Sequence, residues 1–338
     1  MYPKDDIDNA CKYLLRNSVS LNSMRLLITG ATGFVGSWLL NVTDRMQKEY
    51  GQDIKVFGIS RDLQAAQSRL GGEVFNHVQW LKGSVEHIDL SRLGFTHVIH
   101  AATPTTVETG ATDRIGVYNA SVGGLINILR TTTTGESKIR VLHTSSGAVY
   151  QGQVDEFGRS NLNLPVMNER SLNNLKYPGY LEAKLDTEKL ILETTKNGLI
   201  SGVNARLFAF YGPGLPTNSH YAIGNFMHDA LYKNSIVING SGRAIRSYLS
   251  GYKMASSILY ALASSEETPF NVGSMEGKTL AYWAEQIGSI FQKKVQVKYE
   301  FEDSSDCYVA GYDPKIPNFD ENNIENEIVS WRNFLINN

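Results

Sequence analysis

Short apolar runs alternate along this chain with longer stretches whose apolar residues recur at helical spacing. Leu26-Leu27-Ile28 opens the series as an unbroken run, the signature of a parallel strand covered on both faces. The pattern then predicts strands over 26–29, 55–59, 97–101, 140–144 and 203–210. Between them it predicts helices from about residue 36, over 63–70, over 115–130 and from 180 to about 196. This strand–helix rhythm predicts an α/β fold built on a doubly wound parallel sheet. Residues 1–23 carry Ile7, Ala10, Cys11, Leu14 and Leu15 at helical spacing, a lead-in expected to pack on the body without chemistry of its own. Residues 151–178 read as a long loop covering an active site. After Gly212-Pro213-Gly214 the alternation loosens into a mixed region. The expected division is a helical lead-in (1–23), a sheet domain (24–211 and 236–262) and a smaller cap (212–235 and 263–338).

Composition narrows the function classes. The 338 residues suffice for a substantial core, and 42% hydrophobic with 20% charged residues is ordinary for a globular protein. A formal charge of −2 gives no support for a nucleic-acid or anionic-membrane partner. No apolar run approaches the roughly 20 residues that span a bilayer. Asp5, Asp6 and Asp8 interrupt the N-terminus, so no secretory signal is expected and the predicted location is cytoplasmic. Cys11 and Cys307 are too few for a disulfide framework or a cysteine metal site. The histidines lack metal-ligand spacing, and His97 and His100 read as strand residues. No metal is expected.

Chemistry enters at the end of the first strand. Gly30, Gly33 and Gly36 stand three residues apart where the strand opens into a helix. Such spacing allows a tight turn and brings a diphosphate against the helix N-terminus, where free N–H groups and the helix dipole favour an anion. Glycine-rich turns also arise for structural reasons, but this position in the chain is the one a dinucleotide motif requires. A second signal is Tyr180-Leu-Glu-Ala-Lys184, whose four-residue spacing puts phenol and ammonium on one helical face. A lysine there is expected to lower the tyrosine pKa, which suits it to exchange a proton with an alcohol. The pair gains weight from Ser145-Ser146-Gly147 at the end of the predicted 140–144 strand, the edge of the sheet where ligands bind. Ser146 is expected to bond the reacting oxygen, while Ser145 reads as turn chemistry.

Taken in order, Gly30-x-x-Gly33-x-x-Gly36, the strand-end serines and Tyr180-x-x-x-Lys184 resemble the extended short-chain dehydrogenase/reductase family. More narrowly, the chain resembles its nucleotide-sugar epimerase/dehydratase branch from about residue 24 to about 290. Arg206-Leu-Phe-Ala-Phe-Tyr-Gly-Pro213, Asn225-Phe226, the 240–248 segment with Arg246, and Asn271-Val-Gly-Ser extend the similarity. The resemblance implies a Rossmann fold, NAD or NADP as cofactor, a nucleotide-diphosphate sugar as substrate, and a homodimer. It implies catalysis by Ser146, Tyr180 and Lys184. Cofactor contacts would come from Gly30, Thr32, Gly33, Phe34, Val35, Gly36, Ser60, Arg61, Ser84, Val85, Ala101, Thr103 and Lys184. Donor contacts would come from Ser146, Asn225 and Arg246, the last because a guanidinium fork suits phosphate oxygens.

Departures from the family pattern are equally informative. Ser60 stands where relatives that use NAD carry an acid, and Arg61 follows, which tilts the expectation toward NADP although Asp62 lies close by. Ser84 replaces the acid after the third strand, Ala209 replaces a strand asparagine, and Ala120 with Asn119 beside it stands at another asparagine position. Gly147 and Ala148 occupy the places of the acidic pair in 4,6-dehydratases, and decarboxylases also tend to carry a glutamate there. A 4-epimerase is therefore the expected activity, with a 4-keto reductase or a dehydratase using Asp155, Glu156 or Glu169 as rivals. A non-catalytic NADP sensor is a more distant alternative. The helices over 115–130 and 180–196 are expected to pair with their two-fold mates, with Leu125, Ile128, Leu185 and Ile191 as spare apolar positions for a dimer.

Overall fold

The computed structural model describes residues 2–103, 113–132, 138–150, 153–155, 158–160, 162, 178–298, 307–311, 313, 315–319 and 323–337. Six strands, β1 (Met24–Thr29), β2 (Ile54–Ser60), β3 (Val78–Lys82), β4 (His97–His100), β5 (Ile139–Ser146) and β6 (Ile200–Leu207), join the short Phe270–Val272 strand in one sheet. Its order is Phe270–Val272, β6, β5, β4, β1, β2, β3, and every pairing is parallel. Successive side chains point to opposite faces of a strand, so both faces must be covered. Leu26 and Ile28 enter one core with Trp38, Leu142, Ile258 and Leu259. Leu27 enters the other with Val98, Val141, Leu125 and Ile191. The unbroken apolar runs follow directly from this double burial.

The chain reverses its winding between β1 and β4, and that switch point places the carboxyl ends of both strands beside one crevice. Thr29 and His100 brace it. The Thr29 hydroxyl accepts the N–H groups of Ala101 (3.0 Å) and Ala102 (3.1 Å), which leaves its proton for His100 Nδ1 at 2.9 Å. Burial pushes the His100 pKa down to about 4, so its neutral ring donates from Nε2 to the Ser121 carbonyl at 2.7 Å. Both His97 and His100 are strand residues, as the pattern indicated.

Several expectations need correction. The Val78–Lys82 strand was absent from the predicted elements, because Gln79 and Lys82 break its apolar run. The 115–130 helix is three pieces: Arg114–Tyr118, a π-helical turn at Asn119–Gly123, and Gly124–Thr132. The domain boundaries also shift. Phe270–Val272 belongs to the main sheet and not the cap, whereas Ser235–Ile238 pairs with Lys294–Val297 outside that sheet. Ser145 lies buried within β5 and is not a turn residue. Leu125, Ile128, Leu185 and Ile191 are buried in the protomer; the exposed apolar residues on those helices are Ile115, Ile126 and Leu192.

The lead-in helix Lys4–Arg16 packs Ile7, Ala10, Cys11 and Leu14 inward, and Arg45 anchors it through Asp8 at 2.7 Å. A third core, with Phe226, Met227, Trp283, Ile287 and Trp331, holds the cap together. Among the described residues no helix is long and apolar enough to cross a membrane, and no cluster of His, Cys, Asp or Glu could hold a metal ion.

Candidate functional site

The turn after β1 needs glycine at two points for different reasons. Gly30 has φ +66°, and a Cβ there would lie 2.5 Å from the Ala101 carbonyl oxygen. At Gly36 a Cβ would meet the Gly30 carbonyl oxygen at 2.4 Å, so the helix Phe34–Tyr50 sits directly on the turn. Gly33 is the N-cap residue of that helix and provides no capping side chain. Its first N–H groups therefore suit an anion, and the cradle fits a dinucleotide diphosphate. Gly30, Gly33, Phe34, Val35, Ala101 and Thr103 border a cavity of about 530 Å³. Thr32 and Gly36 shape the turn without bordering that cavity.

Residues expected at the adenosine end lie apart from it. Ser60 closes β2, where its hydroxyl donates to the Asp62 carbonyl at 2.8 Å and accepts the Asp62 N–H at 3.2 Å. The Asp62 carboxylate caps the helix Leu63–Leu70 by accepting from Gln64 N (2.9 Å) and Ala65 N (3.0 Å). That carboxylate is thus committed to a helix end, while Arg61 is exposed beside it. The Ser84 carbonyl closes a turn with the N–H groups of His87 and Ile88. Val85 is buried, and its own carbonyl accepts from Asn127 at 2.9 Å.

At the other end of the cavity stand Ser146, Tyr180 and Lys184. β5 delivers Ser146, whose oxygen accepts the Ala148 N–H at 3.2 Å. The helix Pro178–Lys196 carries Tyr180 in its first turn and Lys184 one turn later. The Lys184 ammonium donates to the Thr144 carbonyl at 2.5 Å and the Thr103 hydroxyl at 3.0 Å, and lies 5.7 Å from the centre of the Tyr180 ring. Burial lowers its pKa to about 7, against the opposing pull of Glu188. The expected depression of the Tyr180 pKa is not realised. Burial, followed by the neighbouring Tyr308 phenol, pushes it well above the ordinary value, and the Ser146 hydrogen bond only partly opposes this. Lys184 in this arrangement turns its ammonium toward Thr144 and Thr103.

Residues after β6 complete one side of the cavity. Arg246 borders it from the strand Ile245–Arg246, with Nη1 donating to its neighbour's carbonyl, Ile245 O, at 2.8 Å. Asn225 does not border it. Its amide accepts from Ser219 N (2.9 Å) and donates to Ser219 O (2.8 Å), and it faces an adjoining cavity of about 220 Å³ that shares Ala222 and Leu280 with the first. The side chain expected to touch the donor is thus occupied in bracing the loop before its helix.

Sequence reasoning missed Phe208, His220, Tyr221, Tyr248 and Tyr308, which complete the wall. Only Phe208 and Tyr248 lay inside quoted motifs; His220 and Tyr308 had no local signal. Among the described residues lining the cavity there is no Asp or Glu. A Cβ at Gly147 would lie 2.8 Å from three atoms of the Phe208 ring, so an acidic side chain cannot be added there without displacing it. Asp155 is not among the lining residues, and its carboxylate accepts the Arg159 N–H at 3.0 Å. Glu156 and Glu169 lie outside the described residues.

Behind the face of the helix that bears Tyr180 and Lys184, Glu188 and Arg206 form a buried bidentate pair at 3.0 and 2.8 Å. Arg206 also donates to the Tyr150 hydroxyl at 2.8 Å, which donates in turn to Asn271 at 3.0 Å. This network ties the helix bearing Lys184 to β6 and to the edge strand.

A profile of the family described as "NAD dependent epimerase/dehydratase family" matches residues 26–273. UDP-glucuronic acid decarboxylase 6 of Arabidopsis thaliana is 24% identical over 298 residues, 84% of this chain and 79% of that protein. Among solved structures, UDP-N-acetylglucosamine 4-epimerase from Methanobrevibacter ruminantium, in complex with UDP-N-acetylmuramic acid, superposes with a TM-score of 0.78 at 20% identity. The match covers 94% of this chain and 99% of that one. A dTDP-glucose 4,6-dehydratase from Bacillus anthracis in complex with NAD gives a TM-score of 0.71 at 18% identity, with 94% and 97% covered. At these identities the structural likeness establishes the fold.

Proposed function

Since this chain belongs to the NAD dependent epimerase/dehydratase family, we propose that it is a sugar-nucleotide 4-epimerase that acts by transient oxidation at C4. One observation carries the reading. A single cavity joins the glycine turn, Ser146, Tyr180, Lys184 and Arg246, and its described lining holds no carboxylate. Proton and hydride exchange at an alcohol carbon needs the first set of groups, whereas elimination and decarboxylation in this family draw on an acid that Gly147 and Ala148 cannot supply.

The bound nicotinamide would supply the hydride acceptor and donor. Gly30, Gly33, Phe34 and Val35 would hold the dinucleotide diphosphate, with Thr103 and Lys184 toward its nicotinamide end. Tyr180 would exchange the C4 hydroxyl proton only once the filled site has brought its raised pKa down, and Ser146, whose hydrogen bond already opposes that rise, bonds the C4 oxygen. Arg246 grips the donor diphosphate, and the adjoining cavity offers room for its nucleobase. Exposed Ile115 on Arg114–Tyr118, Ile126 on Gly124–Thr132 and Leu192 on the Tyr180-bearing helix support a homodimer, which light scattering would test.

The decisive experiment incubates the protein and cofactor with UDP-, dTDP-, CDP- and GDP-hexoses and UDP-glucuronic acid in deuterated water. Inversion at C4 without deuterium at C5 is expected. A 4-keto-6-deoxy product would replace this reading by a dehydratase, and release of carbon dioxide from UDP-glucuronic acid by a decarboxylase. Net consumption of reduced dinucleotide would establish the 4-keto reductase, which the Ser60-Arg61 pair favours.

A further inference from the structure

His220 borders the site cavity, yet no step of the proposed reaction uses it. Its ring lies over Tyr221, with centroids 3.9 Å apart, and among the described residues neither ring nitrogen has a hydrogen-bond partner. The side chain is exposed, but its backbone is held. Asn225 accepts from Ser219 N and donates to Ser219 O, which pins both backbone polar groups of the preceding residue. Asn218 turns the chain just before that bracket, in the left-handed conformation at φ +61°. Gly224 lets the loop close on the helix Ala222–Tyr232, since a Cβ there would lie 2.4 Å from the Pro216 carbonyl oxygen. A held loop thus presents to the cavity an imidazole with a donor and an acceptor nitrogen uncommitted.

Ala222, two positions further on, borders both the site cavity and the adjoining one, as does Leu280. A donor whose sugar reaches Tyr180 and whose base enters the adjoining cavity carries its diphosphate past that seam. We propose that His220 is a ligand of the donor diphosphate in addition to Arg246, and that its ring takes up one proton from solvent as the diphosphate seats. Each phosphoryl group brings a negative charge, and no described lining residue is acidic, so the donor is the anion the ring meets there. The other titratable groups that border the cavity are Tyr180, Lys184, Tyr221, Arg246, Tyr248 and Tyr308. Burial holds the His220 pKa below its ordinary value, so the ring is neutral at neutral pH until an anion lies beside it. A phosphoryl oxygen within hydrogen-bond reach then favours the imidazolium. Affinity is therefore greatest at acid pH and falls as pH rises through the pKa of the bound ring.

This inference rests on the donor-binding half of the proposed function, and the test measures binding apart from turnover. Calorimetric titrations at pH 6 and pH 8 would use whichever of UDP-, dTDP-, CDP- and GDP-glucose binds the wild-type protein most tightly; their esterified diphosphate does not titrate across that range. His220→Ala should weaken binding about tenfold at pH 6 and about threefold at pH 8, the difference between a charge-assisted and a neutral hydrogen bond. His220→Gln keeps a donor but cannot take the proton, so it should bind within about twofold of wild type at pH 8 and fall behind at pH 6. Lys184, with a pKa of about 7, titrates in all three proteins, so the readout is the difference between their pH slopes. Equal slopes in wild type and His220→Ala overturn the proton uptake. The matching nucleoside diphosphate, titrated at pH 6, should show the same loss in His220→Ala; a loss confined to the sugar nucleotide puts the ring on the sugar and overturns the diphosphate contact. Wild-type protein that binds none of the four overturns the donor reading and this inference with it. Intact C4 inversion with unchanged binding in His220→Ala overturns this inference alone.

Discussion

Glu188→Ala is the substitution whose consequence follows most directly from the geometry. Glu188 and Arg206 are each less than a tenth exposed, and their two hydrogen bonds are 3.0 and 2.8 Å. Burial alone would lower the Arg206 pKa; the Glu188 carboxylate and hydrogen bonds outweigh it and raise that pKa above its ordinary value. Removing the carboxylate leaves a buried guanidinium that keeps its hydrogen bond to the Tyr150 hydroxyl, a loss typically of about 3–5 kcal/mol. Unfolding entropy near 2.1 cal/mol/K per residue amounts to roughly 0.7 kcal/mol/K for a chain of this length, so Tm should fall by about 4–7 °C. Glu188→Gln, which keeps the shape and one acceptor, should lose about half as much. A second readout concerns catalysis. Glu188 is the group that holds the Lys184 pKa up against burial, so its removal should move the alkaline limb of kcat/KM to lower pH. Differential scanning calorimetry and a pH–rate profile measure both effects. A Tm change under about 1 °C would show that the pair is solvated and that the network does not anchor the catalytic helix.

Burial lowers the Lys184 pKa from 10.5 to about 7, so within that window the unfolded chain holds a proton the folded chain has released. Stability from this group therefore rises with pH between about 7 and 10, and Lys184→Met should remove that rise; parallel melting curves for the two proteins across the window would refute it. Arg246→Ala is expected to raise KM for the sugar nucleotide at least about tenfold with kcat within about threefold, and an unchanged KM would move the diphosphate site elsewhere. Arg61→Ala should weaken NADP about tenfold more than NAD in direct titrations, and equal losses would remove the basis for a preference.

Local sequence determined the frame of this protein. Leu26-Leu27-Ile28 had to be a strand buried on both faces, and Gly30 and Gly36 stand where backbone crowds backbone, a constraint that only glycine meets. Tyr180 and Lys184 share a helical face by spacing alone, and the end of β5 carries Ser146 to the edge of the sheet where ligands bind. What required tertiary structure was every property set by neighbours distant in the chain. Spacing predicted a lysine that lowers the tyrosine pKa; folding buried Lys184, turned its ammonium toward Thr144 and Thr103, and set the half-buried Tyr180 near the Tyr308 phenol, which reversed the direction for Tyr180. Asn225 was expected to touch the donor, but its amide is taken by Ser219, six residues away across a loop. Leu125, Ile128, Leu185 and Ile191 looked spare on a helical wheel because the wheel does not show which neighbours cover them. Tyr308 carried no local signal at all. Its phenol meets Ser146 from 162 positions away because a two-residue strand pairs beside Arg246, and a pairing so short leaves no periodicity to read.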